Sequence, residues 1–145
     1  MSGIVQTSHV LTVATRGKGF IEITRELAGW LSSFAAEDGL LTVFVQHTSA
    51  SLTIQENADP NVQRDLLDTL EALAPEDRVY SHHEEGPDDM PSHIKAMLTA
   101  VSLSIPVKGG SMTLGTWQGV YLIEHRAAPH RRNVVLSFIG ELADA

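Results

Sequence analysis

Residues 80–95, reading YSHHEEGPDDMPSHIK, bring His82, His83 and His93 together with Glu84, Glu85, Asp88 and Asp89. Gly86, Pro87 and Pro91 punctuate the run, so its first part reads as a loop. Charged groups resist burial unless they are paired or bound to metal, which makes so dense a set of ligating side chains costly as scaffold alone. Imidazoles mixed with carboxylates point instead to a divalent metal or a phosphorylated ligand. His82 and His83 are adjacent, so an extended backbone sends them to opposite sides and only one can share a site with a distant histidine. His82, which projects together with Tyr80, is the preferred member. Pro91 opens a helix that carries His93 in its first turn. Asp88 and Asp89 precede the same helix start and have two readings. One is capping of that helix; the other is orienting a histidine, acting as a general acid or base, or giving oxygen ligands to Mg²⁺. Asp89 is the better acid–base candidate.

Further candidates lie outside this run. His47 closes a strand on the same side as Leu41, Val43 and Val45, because strand side chains alternate. The residues after it, TSAS, are small or hydroxylic and leave room for a ligand, so His47 and Ser49 read as a pocket wall. Three histidines from separate elements with an open position would suit a catalytic zinc-type centre. Asn57 follows a strand at a point where nothing local requires an amide, which suits substrate orientation. In LGTWQG, glycines flank Trp117 and Gln118, as expected where backbone and indole approach a flat ligand; a tryptophan plugging the core is the alternative. EHRAAPHRR gathers His125, Arg126, His130, Arg131 and Arg132. Arg126 and Arg132 fit a phosphate, or equally salt bridges to the acidic loop.

These groups need elements to hold them. A strand is expected over residues 4–14, then a turn at Gly17 and Gly19. A helix capped by Thr24 runs to about Glu37 with Gly39 ending it, its Leu27, Leu31 and Phe34 recurring at helical spacing. Strands follow over 40–46 and 51–55. Asp59 and Pro60 start a second helix that stops near Pro75, and Pro91 starts the third. Strands over 101–105, 111–114, 119–124 and 133–139 complete the chain. Strands at both ends with helices between them argue for a single α+β domain over 1–145, with a β-sandwich of mostly antiparallel strands flanked by helices.

Composition sets the outer limits. The 145 residues suffice for one domain with a real core, and 43% hydrophobic with 19% charged residues fits a globular chain. A formal charge of −8 disfavours nucleic acid, and the lack of cysteine rules out disulfides and thiolate zinc sites. Apolar runs are far short of the ~20 residues of a membrane span. The opening MSGIVQTSHV has no secretory pattern, so a cytoplasmic location is expected.

Taken together, QHTSASLTIQENADP, YSHHEEGPDDMPSHIK, LGTWQGVYLIEHR and RRNVVLSFIGE closely resemble the YjbQ-like proteins, also called secondary thiamine-phosphate synthases. The resemblance runs from the first strand to Gly140 and Glu141. It implies a compact α+β fold containing a β-sandwich, a homotrimer, and a metal-binding cluster falling on His47, His82 and His93. The implied activity joins a pyrimidine pyrophosphate to a thiazole phosphate and releases pyrophosphate. Ser92 departs from the alanine more usual there, and His125 stands where the family varies. Pyrophosphate displacement ordinarily uses Mg²⁺ and oxygen ligands, whereas imidazoles suit zinc or another transition metal. A metal-dependent hydrolase, or a trimer that binds metal and small ligands without turnover, would need the same pocket.

Overall fold

Strands β1 (Val5–Ala14), β8 (Arg131–Leu142), β3 (Ala36–Val45), β5 (Ser102–Lys108) and β6 (Ser111–Met112) lie in that spatial order in one sheet. A second sheet has the order β2 (Gly19–Glu22), β7 (Gln118–Glu124), β4 (Ala50–Glu56). Every pairing in both is antiparallel. The computed structural model describes residues 3–144. Residues 1, 2 and 145, the ends of the 1–145 span and of the amino-terminal segment read for a leader, lie outside them.

Alternation makes the sandwich. In β3, Leu41, Val43 and Val45 point inward and are buried, opposite Phe138, Leu136 and Val134 of β8. Leu52, Val120 and Leu122 of the smaller sheet meet them in one core. Helix α1 (Thr24–Ser33) closes one side with Leu27 and Leu31, both fully buried; burial of each such side chain stabilises by roughly 1.5–3 kcal/mol. Helix α2 (Pro60–Leu73) begins as expected, with the Asp59 carboxylate accepting from the Asn61 N–H at 2.9 Å and proline in the first turn. It buries none of its side chains completely. Helix α3 (Asp89–Leu98) is buried on one face through Asp89, Ser92, Lys95 and Ala96. Among the described residues no helix is long and apolar enough to cross a membrane.

The expectations for α1 and its exit need correction. Thr24 is not the cap: Ile23 holds that position, and the Thr24 hydroxyl accepts from the Val120 N–H instead. The helix ends at Ser33 because Ala35 takes the left-handed conformation, φ 56°, usually left to glycine. Gly39 lies inside β3 at a register shift, opposite Gly140, where a Cβ would run into the Ile139 carbonyl oxygen. No strand was expected after the turn at Gly17 and Gly19, yet β2 begins at Gly19 and pairs with β7.

Among the described residues, no layer covers one face of the larger sheet. It carries Val10, Leu40, Phe44 and Ile139, between 38% and 50% exposed, with Leu40 directly opposite Ile139.

Candidate metal centre

Helix α3 presents Asp89 and His93 four residues apart, a spacing that puts both on one face. The preceding loop returns His82 to the same point. His82 Nε2 lies 2.6 Å and His93 Nε2 3.2 Å from Asp89 Oδ2, and the three ligating atoms fall within 4.8 Å of one another.

A surrounding layer fixes these groups. His93 Nδ1 is 3.0 Å from the Thr48 carbonyl oxygen, which only accepts, so Nδ1 carries the hydrogen. Asp89 Oδ1 accepts from Arg126 Nη1 at 2.8 Å. Arg126 also donates through Nε to Asp88 at 3.1 Å and through Nη2 to the Glu85 carbonyl at 3.0 Å. One guanidinium thus ties the acidic loop to the end of β7. Burial alone would raise the Asp89 carboxyl, but the bond from His82 and the charges of His93 and Arg126 outweigh it and hold it below the usual range. Asp88 is likewise held low, its burial outweighed by the Ala127 N–H and Arg126. Asp88 therefore does not cap α3 with its side chain; it anchors the loop.

In neutral His93, the bare Nε2 and the ionised Oδ2 of Asp89 face each other as two acceptors. Only a cation between them, a proton or a metal ion, makes that contact favourable. Two imidazoles and a carboxylate with further positions open fit zinc, manganese or iron better than Mg²⁺. The carbonyl bond on Nδ1 is the usual outer support of a metal-binding histidine.

The converging group differs from the one implied by the family resemblance: among the described residues Asp89 groups with His82 and His93, and His47 lies outside that group. His47 Nε2 accepts the Asn133 backbone N–H at 2.8 Å, and its Nδ1 lies 3.4 Å from Arg132 Nη1. The ring stands on the wall of a 650 Å³ open cavity with Phe44, Gln46, Ser49, Val101 and Arg132. Arg132 is buried and forms the other half of a pair with Glu124, which is fully buried. Its Nε and Nη2 reach Glu124 at 2.8 and 2.5 Å, while Nη2 also donates to Ser49 Oγ at 3.0 Å. Burial would raise Glu124; Arg132, the Thr15 hydroxyl and the Arg126 N–H overcome it and keep the carboxylate ionised.

His125 is no ligand. It is buried with Nε2 2.8 Å from Ser51 Oγ, and burial, aided by Lys95, pushes its pKa down to about 4. Asn57, Trp117 and Gln118 lie at the other end of the β4–β7 ladder, where Glu56 pairs with Gln118 while Ala50 pairs with Glu124. That separation is roughly 20 Å at strand rise, so one chain does not bring them to the cluster. They contact one another: the Asn57 N–H donates to the Trp117 carbonyl at 3.0 Å, and the Gln118 side chain accepts from the Gly115 N–H at 2.8 Å. Trp117 is 64% exposed rather than plugging the core.

The family model described as UPF0047 protein YjbQ-like matches residues 9–141. The chain belongs to the YjbQ-like family. It is 48% identical over 138 residues to a UPF0047 protein of Synechocystis, covering 94% of each chain. It is 43% identical to the UPF0047 protein YjbQ of Salmonella typhimurium, covering 92% of this chain and 97% of that one. A crystal structure of a conserved hypothetical protein from Thermus thermophilus superposes with a TM-score of 0.77 at 40% identity, covering 88% of this chain and 97% of the other. A YbjQ-like protein of unknown function from Sulfolobus solfataricus shares the fold, with a TM-score of 0.88 at 20% identity over 96% and 100% of the two chains. The α+β sandwich inferred from the sequence is therefore the family's fold.

Two features escaped the sequence reading. The pairing of Asp89 with His93 was announced by their four-residue spacing on a helix. Glu124, the buried partner of Arg132, had no local signal, since β7 reads as a plain strand end.

Proposed function

We propose that the protein is a metal-dependent enzyme acting on small phosphorylated or heteroaromatic substrates, with the joining of a pyrimidine pyrophosphate to a thiazole phosphate as its nameable activity. The observation that carries this reading is the convergence of His82 Nε2, Asp89 Oδ2 and His93 Nε2 on one point, with the other His93 nitrogen held by the Thr48 carbonyl. A divalent ion bound there supplies positive charge that polarises a phosphate oxygen or a water. The chain's residues bind and orient: Arg126 fixes Asp89, and His82 opens onto a 290 Å³ cleft with Arg78, Tyr80, His83 and Met90 as its walls. Zinc or another transition metal suits the two imidazoles, with Mg²⁺ entering only alongside substrate phosphates.

The same preference for nitrogen favours a second reading, a metal-dependent hydrolase of small phosphorylated compounds, because Mg²⁺-assisted pyrophosphate displacement would favour an oxygen-rich site. Assembly as a homotrimer, implied by the family resemblance, is supported by the uncovered apolar face around Leu40, Phe44 and Ile139. A cytoplasmic protein with a small-molecule substrate, rather than nucleic acid, fits the charge of −8.

The test is release of pyrophosphate or phosphate on mixing the protein with the two thiamine precursors, or with either alone, with and without added zinc or manganese. Metal-dependent release that disappears in His93→Ala supports the enzyme. Release from a single precursor selects the hydrolase. Tight ligand binding with only a metal-independent background rate would leave a non-catalytic binding protein.

A further inference from the structure

We propose that the cavity beside His47 is a binding site for a small oxyanion, a phosphate or carboxylate group, held by His47 Nδ1, Arg132 Nη1 and the Ser49 hydroxyl. The argument is a count of donors and acceptors. A neutral imidazole offers one N–H and one lone pair. The 2.8 Å bond from the Asn133 backbone N–H takes the lone pair of His47 at Nε2. The ring hydrogen therefore sits on Nδ1, and Nδ1 faces Arg132 Nη1 at 3.4 Å, which is also a donor. Two donors that meet without an acceptor repel each other.

Arg132 leads to the same conclusion independently. Its Nε and Nη2 are satisfied by Glu124 and by the Ser49 carbonyl and hydroxyl oxygens. Among the described residues, Nη1 has only His47 Nδ1 within hydrogen-bonding distance. The side chain is buried at 3% exposure, so few waters can serve the two Nη1 hydrogens except from the cavity that His47, Ser49 and Arg132 line. Buried donors are satisfied in native structures, and this pair awaits an acceptor from outside. Ser49 Oγ accepts from Arg132 Nη2 at 3.0 Å, which frees its own hydrogen to donate. The donors thus converge from two sides, as a tetrahedral or planar oxyanion needs. Glu124 neutralises the far edge of the guanidinium and His130 lies 3.8 Å behind that carboxylate, so the near edge keeps its hydrogens for the ligand.

This deepens the proposed function and rests on it in one respect only, that the anion is called a substrate group. Thr48, between His47 and Ser49, accepts from His93 through its carbonyl, so one tripeptide borders both the cavity and the metal cluster. A substrate phosphate held at His47 would sit beside the ion.

Titration of the purified full-length protein with inorganic phosphate, followed by calorimetry or phosphorus NMR, tests this. The variants are His47→Gln, His47→Asn and His93→Ala. His47→Gln keeps an oxygen for the Asn133 N–H but loses the Nδ1 donor, and it is expected to weaken phosphate by about tenfold or more. His47→Asn places an amide N–H near the Nδ1 position and is expected to retain most of the binding. His93→Ala removes the cluster and the bond to the Thr48 carbonyl; it is expected to keep saturable phosphate binding, weakened less than in His47→Gln, which separates this site from the metal reading. Absence of saturable phosphate binding overturns the proposal. So does binding that vanishes in His93→Ala while surviving in His47→Gln, because the phosphate would then sit on the metal.

Discussion

On one side of Thr48, His93 Nε2 and Asp89 Oδ2 meet as two acceptors; on the other, His47 Nδ1 and Arg132 Nη1 meet as two donors. The first arrangement needs a cation and the second an anion, although both centre on a histidine a few residues from the same backbone. What differs is the partner of the second ring nitrogen. A carbonyl fixes the hydrogen of His93 at Nδ1 and leaves a lone pair for metal, whereas a backbone N–H uses the lone pair of His47 and leaves a hydrogen for an anion. The role of a histidine is thus set by the backbone group behind it, not by its presence in a histidine-rich motif.

The largest way to break the contrast is to remove Glu124. Glu124→Ala leaves Arg132 buried without its counter-ion and should destabilise by about 3–5 kcal/mol in denaturant unfolding. Metal loading of the folded fraction should persist. A loss under 1 kcal/mol would mean that the buried pair does not organise the anion side.

Next in size is the acid response of His125, behind both sites. Its folded pKa of about 4 lies below the ordinary 6.5, so between those values the unfolded chain binds more protons. Stability therefore rises with pH across that window and falls on acidification, by roughly 3 kcal/mol in total. Glu124, Asp88 and Asp89 are held below their ordinary values, so their contribution is lost only at lower pH. Unfolding curves from pH 7 to 4 should show the decline, and His125→Leu should flatten it. An unchanged slope in that variant would assign the decline to other groups.

Arg126→Gln sharpens the cation side. Losing the bond to Asp89 Oδ1 and both loop anchors should weaken metal roughly 10–100-fold, read by competition with a chelating dye. Phosphate binding at His47 should be little altered. An equal loss at both sites would mean that they are one.

How much of this was legible in the chain depended on how local the cause was. The α2 start showed plainly in Asp59–Pro60, because capping and proline both act within a turn. The α1 end was hidden, because Ala35 takes a conformation that signals glycine and Gly39 serves a close strand contact instead. His82 and His93 stood out in the acidic loop. Asp89 was visible as an acid–base candidate but not as the third member of the cluster. The Nε2 of His47 is taken up by the Asn133 backbone N–H, 86 positions away, which no spacing announces. Trp117 and Gln118 looked like a ligand-facing glycine turn and Asn57 like a substrate-orienting amide, yet in this chain Asn57 bonds to the backbone of both at the far end of the ladder.

The most direct measurement is elemental analysis of dialysed protein in parallel with His93→Ala and His47→Gln. The account predicts about one transition-metal ion per chain in the parent and in His47→Gln, and none in His93→Ala. Loss of metal in His47→Gln, or its retention in His93→Ala, would contradict the assignment of the cation to His82, Asp89 and His93.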